Sequence, residues 1–244
     1  KSWFVDFDPV HAKQQGRAPE GMDAATAALF PDSFEESELG MVPKGWSVSA
    51  LGDIAQTVKK QLQPEKMHSG MHYVGLEHIP RKSLSLVAWG TAEGLESAKA
   101  TFNTGDVLFG KLRPYFHKVV IAPVDGVCST DILVCRPKKP ADYGFVAMHL
   151  FSTELIDYAD RLSNGAKMPR VNWSDLAAYP VVIAPGQINH KFSDFAETLF
   201  SRIQEGVHKA QTLASLRDTL LPRLISGQLR LPEAEALAEQ AMAS

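Results

Sequence analysis

The chain has 244 residues, of which 45 % are hydrophobic and 22 % charged, an ordinary composition for a globular protein of one large or two modest domains. It has no run of about 18 apolar residues, so the sequence predicts no membrane-spanning helix. The net charge of −3 argues against a strongly basic nucleic-acid binder. However, residues 46–180 carry 15 basic and 13 acidic groups, whereas residues 1–45 carry 4 basic and 8 acidic groups. The middle of the chain is therefore mildly basic, which is weak support for a DNA partner.

The two cysteines and the start of the chain help to predict the cellular compartment of the protein. Cys128 and Cys135 lie seven residues apart in an apolar, β-branched stretch, a spacing that matches neither a metal site nor a redox pair. If that stretch is one strand, the odd separation places the two thiols on opposite faces. No basic-then-apolar leader is present, so we predict a reduced, cytoplasmic protein. The chain begins with Lys1, which indicates a piece of a longer polypeptide, a processed product or an engineered chain.

Residues 1–45 are predicted to form a connector. They begin with the aromatic, acidic stretch SWFVDFDPV and continue with frequent proline and glycine. One short helix is predicted at 22–30, with Asp23 as its N-cap. We expect the aromatic side chains of the opening stretch to pack against another part of the protein.

Residues 46–185 are predicted to form the main domain. Short apolar or β-branched runs alternate there with turn residues, which is typical of strands. Residues 141–161 depart from this pattern and favour helix. The pattern as a whole predicts an α+β fold, a mixed α/β domain with a bent antiparallel sheet. The predicted strands are 46–49, 72–76, 84–87, 106–109, 117–122, 127–135 and 179–183.

Residues 186–227 are predicted to form one long helix that ends at Gly227, because apolar residues recur in steps of three and four. About 40 helical residues span roughly 60 Å, more than a small domain, so much of the apolar seam cannot face its own domain. Pairing with a second long helix, in the same chain, in a homodimer or on another subunit, is favoured over an ordinary core helix. Residues 228–244 are predicted to be a flexible tail. The predicted seam consists of Ile188, Phe192, Phe195, Leu199, Ile203, Val207, Leu213, Leu216 and Leu220.

The segment 109–118 (FGKLRPYFHK), here called the first basic loop, interleaves aromatic rings with the cations Lys111, Arg113 and Lys118 and with Tyr115. The proline that follows Arg113 predicts an extended backbone for that arginine. Such a loop suits the holding of cations against phosphate or guanine edges. A solvated hairpin tip is the alternative.

The segment 161–173 (RLSNGAKMPRVNW), here called the second basic loop, contains the cations Lys167 and Arg170. Its side chains Asn164 and Asn172 have the donor and acceptor pattern that pairs with adenine. The alternative is a structural turn in which Asn172 or a neighbouring serine caps the next helix.

A metal site is a less favoured alternative. His68, His72 and His78 are clustered in sequence, but the segment around them contains glycine and is predicted as turn and strand. No further well-spaced ligand follows, so we predict ordinary polar contacts and no metal.

A nuclease site is the other alternative, built from Asp106, Asp125 and Asp131 with Lys111. The first of these acids follows a Thr-Gly pair at a predicted turn, where a structural role is expected. The sequence also lacks a phosphate-binding Gly-x-x-x-x-Gly-Lys-Ser/Thr loop, a Gly-x-Ser-x-Gly elbow and a glycine-rich loop suited to S-adenosylmethionine. We therefore predict no catalytic residue and no cofactor.

Four segments in order carry a resemblance to a known family. They are FGKLRPYFHKVVIA, GVCSTDILVCRP, SNGAKMPRVNWSDLAAYPVVIAP and a long helix that ends in TLLPRLISGQL. Together with YVGLEHI at 73–79 and FPDSFEESELGMVPKGW near the start, they resemble the second half of type I restriction–modification specificity subunits.

The resemblance implies one target recognition domain and one conserved long helix, where a full subunit has two of each. Each domain would recognise half of a split DNA target, while methylation and cleavage belong to separate methyltransferase and restriction subunits. The long helix would pair with a second copy or with the absent first helix, and a twofold dimer would recognise a palindromic split site. A stand-alone dimeric DNA-binding regulator remains the alternative. The DNA-binding residues expected on this basis are Lys111, Arg113, Tyr115, Lys118, Asn164, Lys167, Arg170 and Asn172.

Overall fold

The computed structural model describes residues 1–165 and 167–242. The helices in this part of the chain are α1 (Asp8–Gln14), α2 (Ala24–Leu29), α3 (Leu51–Ile54), α4 (Tyr143–Leu150), α5 (Thr153–Leu162), α6 (Trp173–Ala177), α7 (Gly186–Ile225) and α8 (Leu231–Met242). The strands are β1 (Phe34–Ser37), β2 (Gly40–Pro43), β3 (Ser47–Ala50), β4 (Ala55–Thr57), β5 (Gln61–Leu62), β6 (His72–Val74), β7 (Gly90–Thr91), β8 (Lys99–Phe102), β9 (Val107–Gly110), β10 (Val119–Ile121), β11 (Gly126–Cys128), β12 (Ile132–Pro137) and β13 (Pro180–Ile183).

Two larger sheets organise the domain. The four-stranded sheet has the order β10-β9-β12-β4, and all its pairs are antiparallel. The five-stranded sheet has the order β5-β8-β11-β6-β7, with one parallel pair, β11 and β6, among antiparallel ones. Antiparallel sheets followed by a long C-terminal helix confirm the predicted fold class. The parallel pair was not predicted from the sequence.

The four-stranded sheet is the middle layer of the domain, because side chains of one strand alternate between two cores. On β9, Val107 and Phe109 are buried in the core shared with the helices. Leu108, between them, is buried in the core shared with the five-stranded sheet. Both faces of this sheet are therefore covered, which explains why β9 and β10 are continuous apolar runs.

The N-terminal aromatic residues belong to the helical core. Phe4 packs edge-on against Phe145 and Phe192, with ring centroids 4.8 and 5.0 Å apart. The expected packing of the opening aromatic stretch is confirmed, and this packing continues across the predicted connector into the main domain. The short helix is also found, and the Asp23 side chain accepts from the Thr26 N–H at 2.9 Å as its N-cap.

Two of the predicted strands differ in the structure. The stretch 127–135 is interrupted at 129–131, so that Cys128 ends β11 in one sheet and Cys135 lies in β12 of the other. The prediction of one strand with thiols on opposite faces is therefore wrong, because a turn redirects the chain between the two cores. The stretch 84–87 makes only an isolated bridge from Ser85 to Ile121. Burial raises the pKa of Cys128 to about 12, as expected for a packing residue rather than a reactive thiol.

The long helix α7 starts at the predicted residue 186 and ends at Ile225, two residues before the predicted end at 227. It stops before Gly227, whose φ of +72° is the left-handed conformation that favours glycine after a helix. The following segment forms α8, which contacts α7 and buries Ala234. Residues 243–244 of the predicted flexible tail lie outside the described residues, and the flexibility of the tail stays a prediction. None of the described helices is long and apolar enough to span a membrane.

Candidate nucleic-acid interface

The two basic loops lie side by side and are joined by backbone hydrogen bonds. The Arg113 N–H donates to the carbonyl oxygen of Pro169 at 2.8 Å, and the Val171 N–H donates to that of Lys111 at 3.1 Å. Residue 166 of the second basic loop lies outside the described residues. Two segments about fifty positions apart in sequence thus form one surface at one end of β9.

The first basic loop is held in a strained conformation. Arg113 has φ of +51°, so the predicted extended backbone is wrong, and His117 has the same positive φ. Non-glycine residues rarely adopt this region, and they keep it only where contacts fix them. The Arg113 guanidinium donates to the carbonyl oxygen of Lys167 at 3.1 Å. The His117 Nε2 lies 2.7 Å from the carbonyl oxygen of Phe151. These contacts shape the tight turn 114–116 between the two strained residues.

Tyr115 occupies the tip of this turn and exposes 49 % of its surface. Its ring packs against Phe116, with centroids 4.7 Å apart. The ring is thus packed against its neighbour while about half of the residue stays exposed, an arrangement suited to a contact with a ligand.

The cation Arg170 is already paired. Its Nε donates to the Asp131 carboxylate at 2.8 Å, and a second guanidinium nitrogen lies 3.3 Å from the other oxygen. This hydrogen bond raises the pKa of Arg170 above its ordinary value. The Lys111 N–H donates to the Asp131 carbonyl oxygen at 2.9 Å. Arg170 therefore connects the second basic loop to the 129–131 turn, and its charge is offset by a carboxylate.

Lys118 also has a partner within the domain. Its ammonium group donates to the carbonyl oxygen of Leu76. Burial lowers the pKa of Lys118 below its ordinary value, and the charge of Arg81 lowers it further. Of the predicted cations, only Arg170 is in a salt bridge among the described residues. Arg113 and Lys118 donate side-chain hydrogen bonds to backbone carbonyl oxygens, whereas the described contacts include no side-chain hydrogen bond from Lys111 or Lys167.

The two predicted asparagines differ in role. Asn164 is exposed and pairs through its backbone with Arg170, at 2.9 Å in both directions. Asn172 stands at the N-cap position of α6, and its N–H donates to the Asp175 carboxylate at 3.2 Å. The capping alternative therefore describes Asn172 correctly, although its side chain is exposed at the edge of the same surface.

Two further cations at this surface were missed from the sequence. The Arg81 guanidinium lies 4.0 Å from the centroid of the Phe116 ring, a cation–π contact. The Lys82 N–H donates to the His117 carbonyl oxygen at 2.9 Å. Both side chains are exposed. The adjacent Arg81 and Lys82 could have indicated a basic surface from the sequence. They precede the first basic loop by about thirty residues, however, so nothing in the sequence was a reason to place them beside that loop.

The acidic residues of the nuclease alternative have separate structural partners. Asp106 is buried and forms a two-point ion pair with Arg136, one contact of which is 2.8 Å. Asp125 accepts from the Thr104 N–H at 2.7 Å. Asp131 precedes β12 whereas Arg136 lies near its end, a separation of about 17 Å at the rise of a strand. The three acids therefore do not converge on one site.

The histidines of the metal alternative also have local partners. The His72 Nδ1 lies 3.1 Å from the Asp125 carbonyl oxygen, and the His78 Nδ1 accepts from the Gly75 N–H at 2.9 Å. No group of three or more potential ligands comes together in the described ranges.

The predicted helix seam is divided between two environments. Ile188 is 1 % exposed in the core of its own domain, and Val207 is buried as well. Side chains in such positions are not available to a second helix. The exposed apolar members of the seam are Phe195, Leu199, Ile203 and Leu213, and Leu221 and Ile225 extend the exposed surface.

Comparison with known proteins supports the resemblance drawn from the sequence motifs. No family model matches the chain. The EcoDI type I restriction enzyme specificity subunit of Escherichia coli is 28 % identical over 83 % of this chain and 48 % of its own length. The MjaIX specificity subunit of Methanocaldococcus jannaschii is 22 % identical over 96 % of this chain and 52 % of its own. The HindI specificity subunit of Haemophilus influenzae is 23 % identical over 94 % of this chain and 60 % of its own.

Solved structures show the same fold. The crystal structure of the HsdS subunit from Thermoanaerobacter tengcongensis has a TM-score of 0.54 at 21 % identity, covering 74 % of this chain and 48 % of that one. A chain from a study of complex assembly in the type I R-M system has the same TM-score and identity, covering 78 % and 51 %. The predicted resemblance to type I specificity subunits is confirmed, and the chain spans about half the length of the curated relatives it matches.

Proposed function

We propose that this chain, as a relative of type I restriction enzyme specificity subunits, recognises one half of a split duplex DNA target. The observation that carries the proposal is the joining of the two basic loops into one surface. Cations set along such a surface can contact phosphates and base edges at the same time. The cations at or beside this surface are Arg81, Lys82, Lys111, Arg113, Lys118, Lys167 and Arg170.

The geometry supports different roles for these residues. Lys111 and Lys167 have neither an ion pair nor a side-chain hydrogen bond among the described contacts, unlike Arg113 and Lys118, so they are proposed to contact phosphates. Arg113, which precedes the tight turn 114–116, and Tyr115, which lies within it, are proposed to reach base edges. Arg170 is proposed to position the second basic loop, because Asp131 already offsets its charge. Lys118, Asn164 and Asn172 remain proposed polar contacts at the margin.

The exposed seam of α7 is proposed to pair with a second long helix. This helix would belong to the other half of a specificity subunit or to a second copy of the chain. The coverage of about half of each curated relative fits both arrangements. Paired helices would act as a ruler that sets the distance between two half-sites.

The partners are proposed on the basis of the resemblance to type I restriction enzyme specificity subunits. Methyltransferase subunits, and through them the restriction subunit, would supply the chemistry, while this chain supplies specificity without catalysis. The complex would act in the cytoplasm, where cellular DNA is found in bacteria and archaea. The separation of Asp131 from Asp106 and Asp125, and the structural partner of each carboxylate, support a non-catalytic role.

A DNA-binding titration with the complete specificity–methyltransferase complex tests the proposal. Lys167→Ala should weaken binding uniformly across sequences and reduce the salt slope of log K by about 1. Arg113→Ala should cost about 1–3 kcal/mol and relax base preference at one position. Lys139→Ala is the matched control, since this exposed lysine follows the far end of β12. Unchanged affinity, salt slope and base preference in both variants would contradict the assignment of the surface.

A further inference from the structure

A polar stripe on α7 faces the chain's own domain. Its members recur in steps of three and four, so they share one side of the helix over 22 positions, roughly 33 Å. This side differs from the exposed apolar seam because more than half of its members are polar. The stripe consists of Asn189, Ser193, Ala196, Phe200, Gln204, Val207 and Gln211.

The first attachment is buried at the start of the helix. The Asn189 amide donates to the Asp142 carboxylate at 3.0 Å. The Ser193 hydroxyl donates to the carbonyl oxygen of Ala141 at 2.7 Å and accepts from the Gly144 N–H at 3.0 Å. Both helix residues are 2 % exposed. Buried polar groups destabilise the fold unless they are hydrogen-bonded. These contacts therefore allow few other positions or rotations of α7 relative to the domain.

Close backbone approach strengthens this attachment. A Cβ atom at Gly144 would lie 2.8 Å from the Ala196 Cβ and 3.0 Å from the Ser193 Cα. The helix therefore meets α4 where small residues allow contact, and rotation about its axis would bring larger side chains into that space.

The second attachment lies farther along the helix and is partly exposed. The Gln204 amide donates to the carbonyl oxygen of Ala122 at 3.4 Å, and the Gln211 amide donates to that of Val87 at 3.0 Å. Gln211 lies 18 positions beyond Ser193, which is roughly 27 Å along the axis. Two directional attachments at this separation fix both the tilt and the rotation of α7 relative to the domain.

We propose that four residues of α7 are positioning residues, which fix the rotation of the recognition domain about the axis of this helix. They are Asn189, Ser193, Gln204 and Gln211. They thereby determine which spacer length a split target must have. This inference rests on the proposed function. One base pair more or less in a spacer rotates a half-site by roughly 35° and shifts it by about 3.4 Å. A loosely attached domain could follow that change, whereas a domain held by directional hydrogen bonds could not.

The test uses the complete specificity subunit assembled with its methyltransferase partner. Binding is measured on targets with the native spacer and with spacers one base pair shorter and longer, and on a duplex with only this domain's half-site. The main variant is Gln204→Ala with Gln211→Ala, because both side chains are partly exposed and their loss leaves the core intact. Gln211→Lys, combined with Gln204→Ala, retains one donor, and Glu205→Ala alters an exposed side chain on another face of the helix.

The double alanine variant should lose about fivefold in its preference for the native spacer and keep its affinity for the half-site. The variant that retains a lysine donor should recover part of that preference, and Glu205→Ala should match the unaltered protein. An unchanged spacer preference in the double variant overturns the inference, and so does an equal loss on all targets including the half-site. If the unaltered protein binds none of the targets, the proposed function fails and the inference fails with it.

Discussion

The two parts of the long helix face different surroundings although their sequence pattern is the same. Between 186 and 207, α7 buries Ile188, Ala196, Phe200 and Val207 against its own domain. Between 208 and 225 its described side chains are half-buried or exposed, and Leu213, Leu221 and Ile225 are at least 50 % exposed. The repeat of apolar residues every three or four positions continues through both parts. Periodicity therefore shows that a helix has an apolar side, but it does not identify the surface that covers that side.

The two parts of α7 also differ in the packing that stabilises them as helix. An isolated helix of twenty residues is marginal in water, and packing of one face supplies most of its stability. The first part of α7 obtains that packing from α4 and the N-terminal aromatic residues. For the exposed apolar side chains of the second part, which α8 leaves uncovered, we propose that a second long helix supplies it. Three experiments test this division of the helix.

The largest effect is expected for Leu213→Glu combined with Leu221→Glu in the second part, because both residues are 50 % exposed in this chain. Each leucine buried by a partner contributes about 1.5–3 kcal/mol, so association should weaken by at least about a hundredfold. The unfolding midpoint of the domain should not change. Sedimentation of the chain, alone and with the other half of a specificity subunit, measures this. Lys209→Glu is the control, and association that survives the leucine changes would place the partner elsewhere.

A smaller effect, on folding rather than association, is expected for Phe200→Ala in the first part. The ring is 6 % exposed and meets Tyr143 edge-on at 5.7 Å, so its removal should lower the free energy of unfolding by about 3–5 kcal/mol. Leu213→Ala, in the exposed part, should change it by less than about 0.5 kcal/mol. Urea denaturation of the monomer measures both, and equal effects would show that the helix is not divided as described.

The smallest effect is expected at Ile203, a partly exposed residue of the first part, four positions before its end. This side chain is 40 % exposed, yet it lines a small cavity with Leu84, Ile121 and Phe200. Ile203→Ala should lower the free energy of unfolding by about 1–2 kcal/mol, below the range for fully buried isoleucine, and should also weaken association. Denaturation and sedimentation of the same variant test this. If only the free energy of unfolding or only the association changes, Ile203 belongs to one environment alone, and the boundary between the two parts of α7 lies at another residue.

The candidate site was predicted in parts, but not as a whole. The cations of both basic loops were identified because their residue types and turn signals are local in sequence. The pairing of Arg170 with Asp131 spans 39 positions, and the addition of Arg81 and Lys82 depends on a contact with Phe116 across the fold. No local pattern encodes such contacts. The roles of the individual loop residues in binding stay predictions.

The sequence by itself determined α7, its end before Gly227, the capping of α2 by Asp23 and the two strands β9 and β10 of the four-stranded sheet. These features depend on residues within about four positions of one another, which periodicity and capping rules describe. Only the tertiary structure decided that 127–135 divides between two sheets, that the aromatic connector enters the core, and that α7 presents a polar stripe to its own domain beside an exposed apolar seam. Those outcomes depend on which distant surfaces exclude water together, and a hydrophobic contact carries no directional information about its partner.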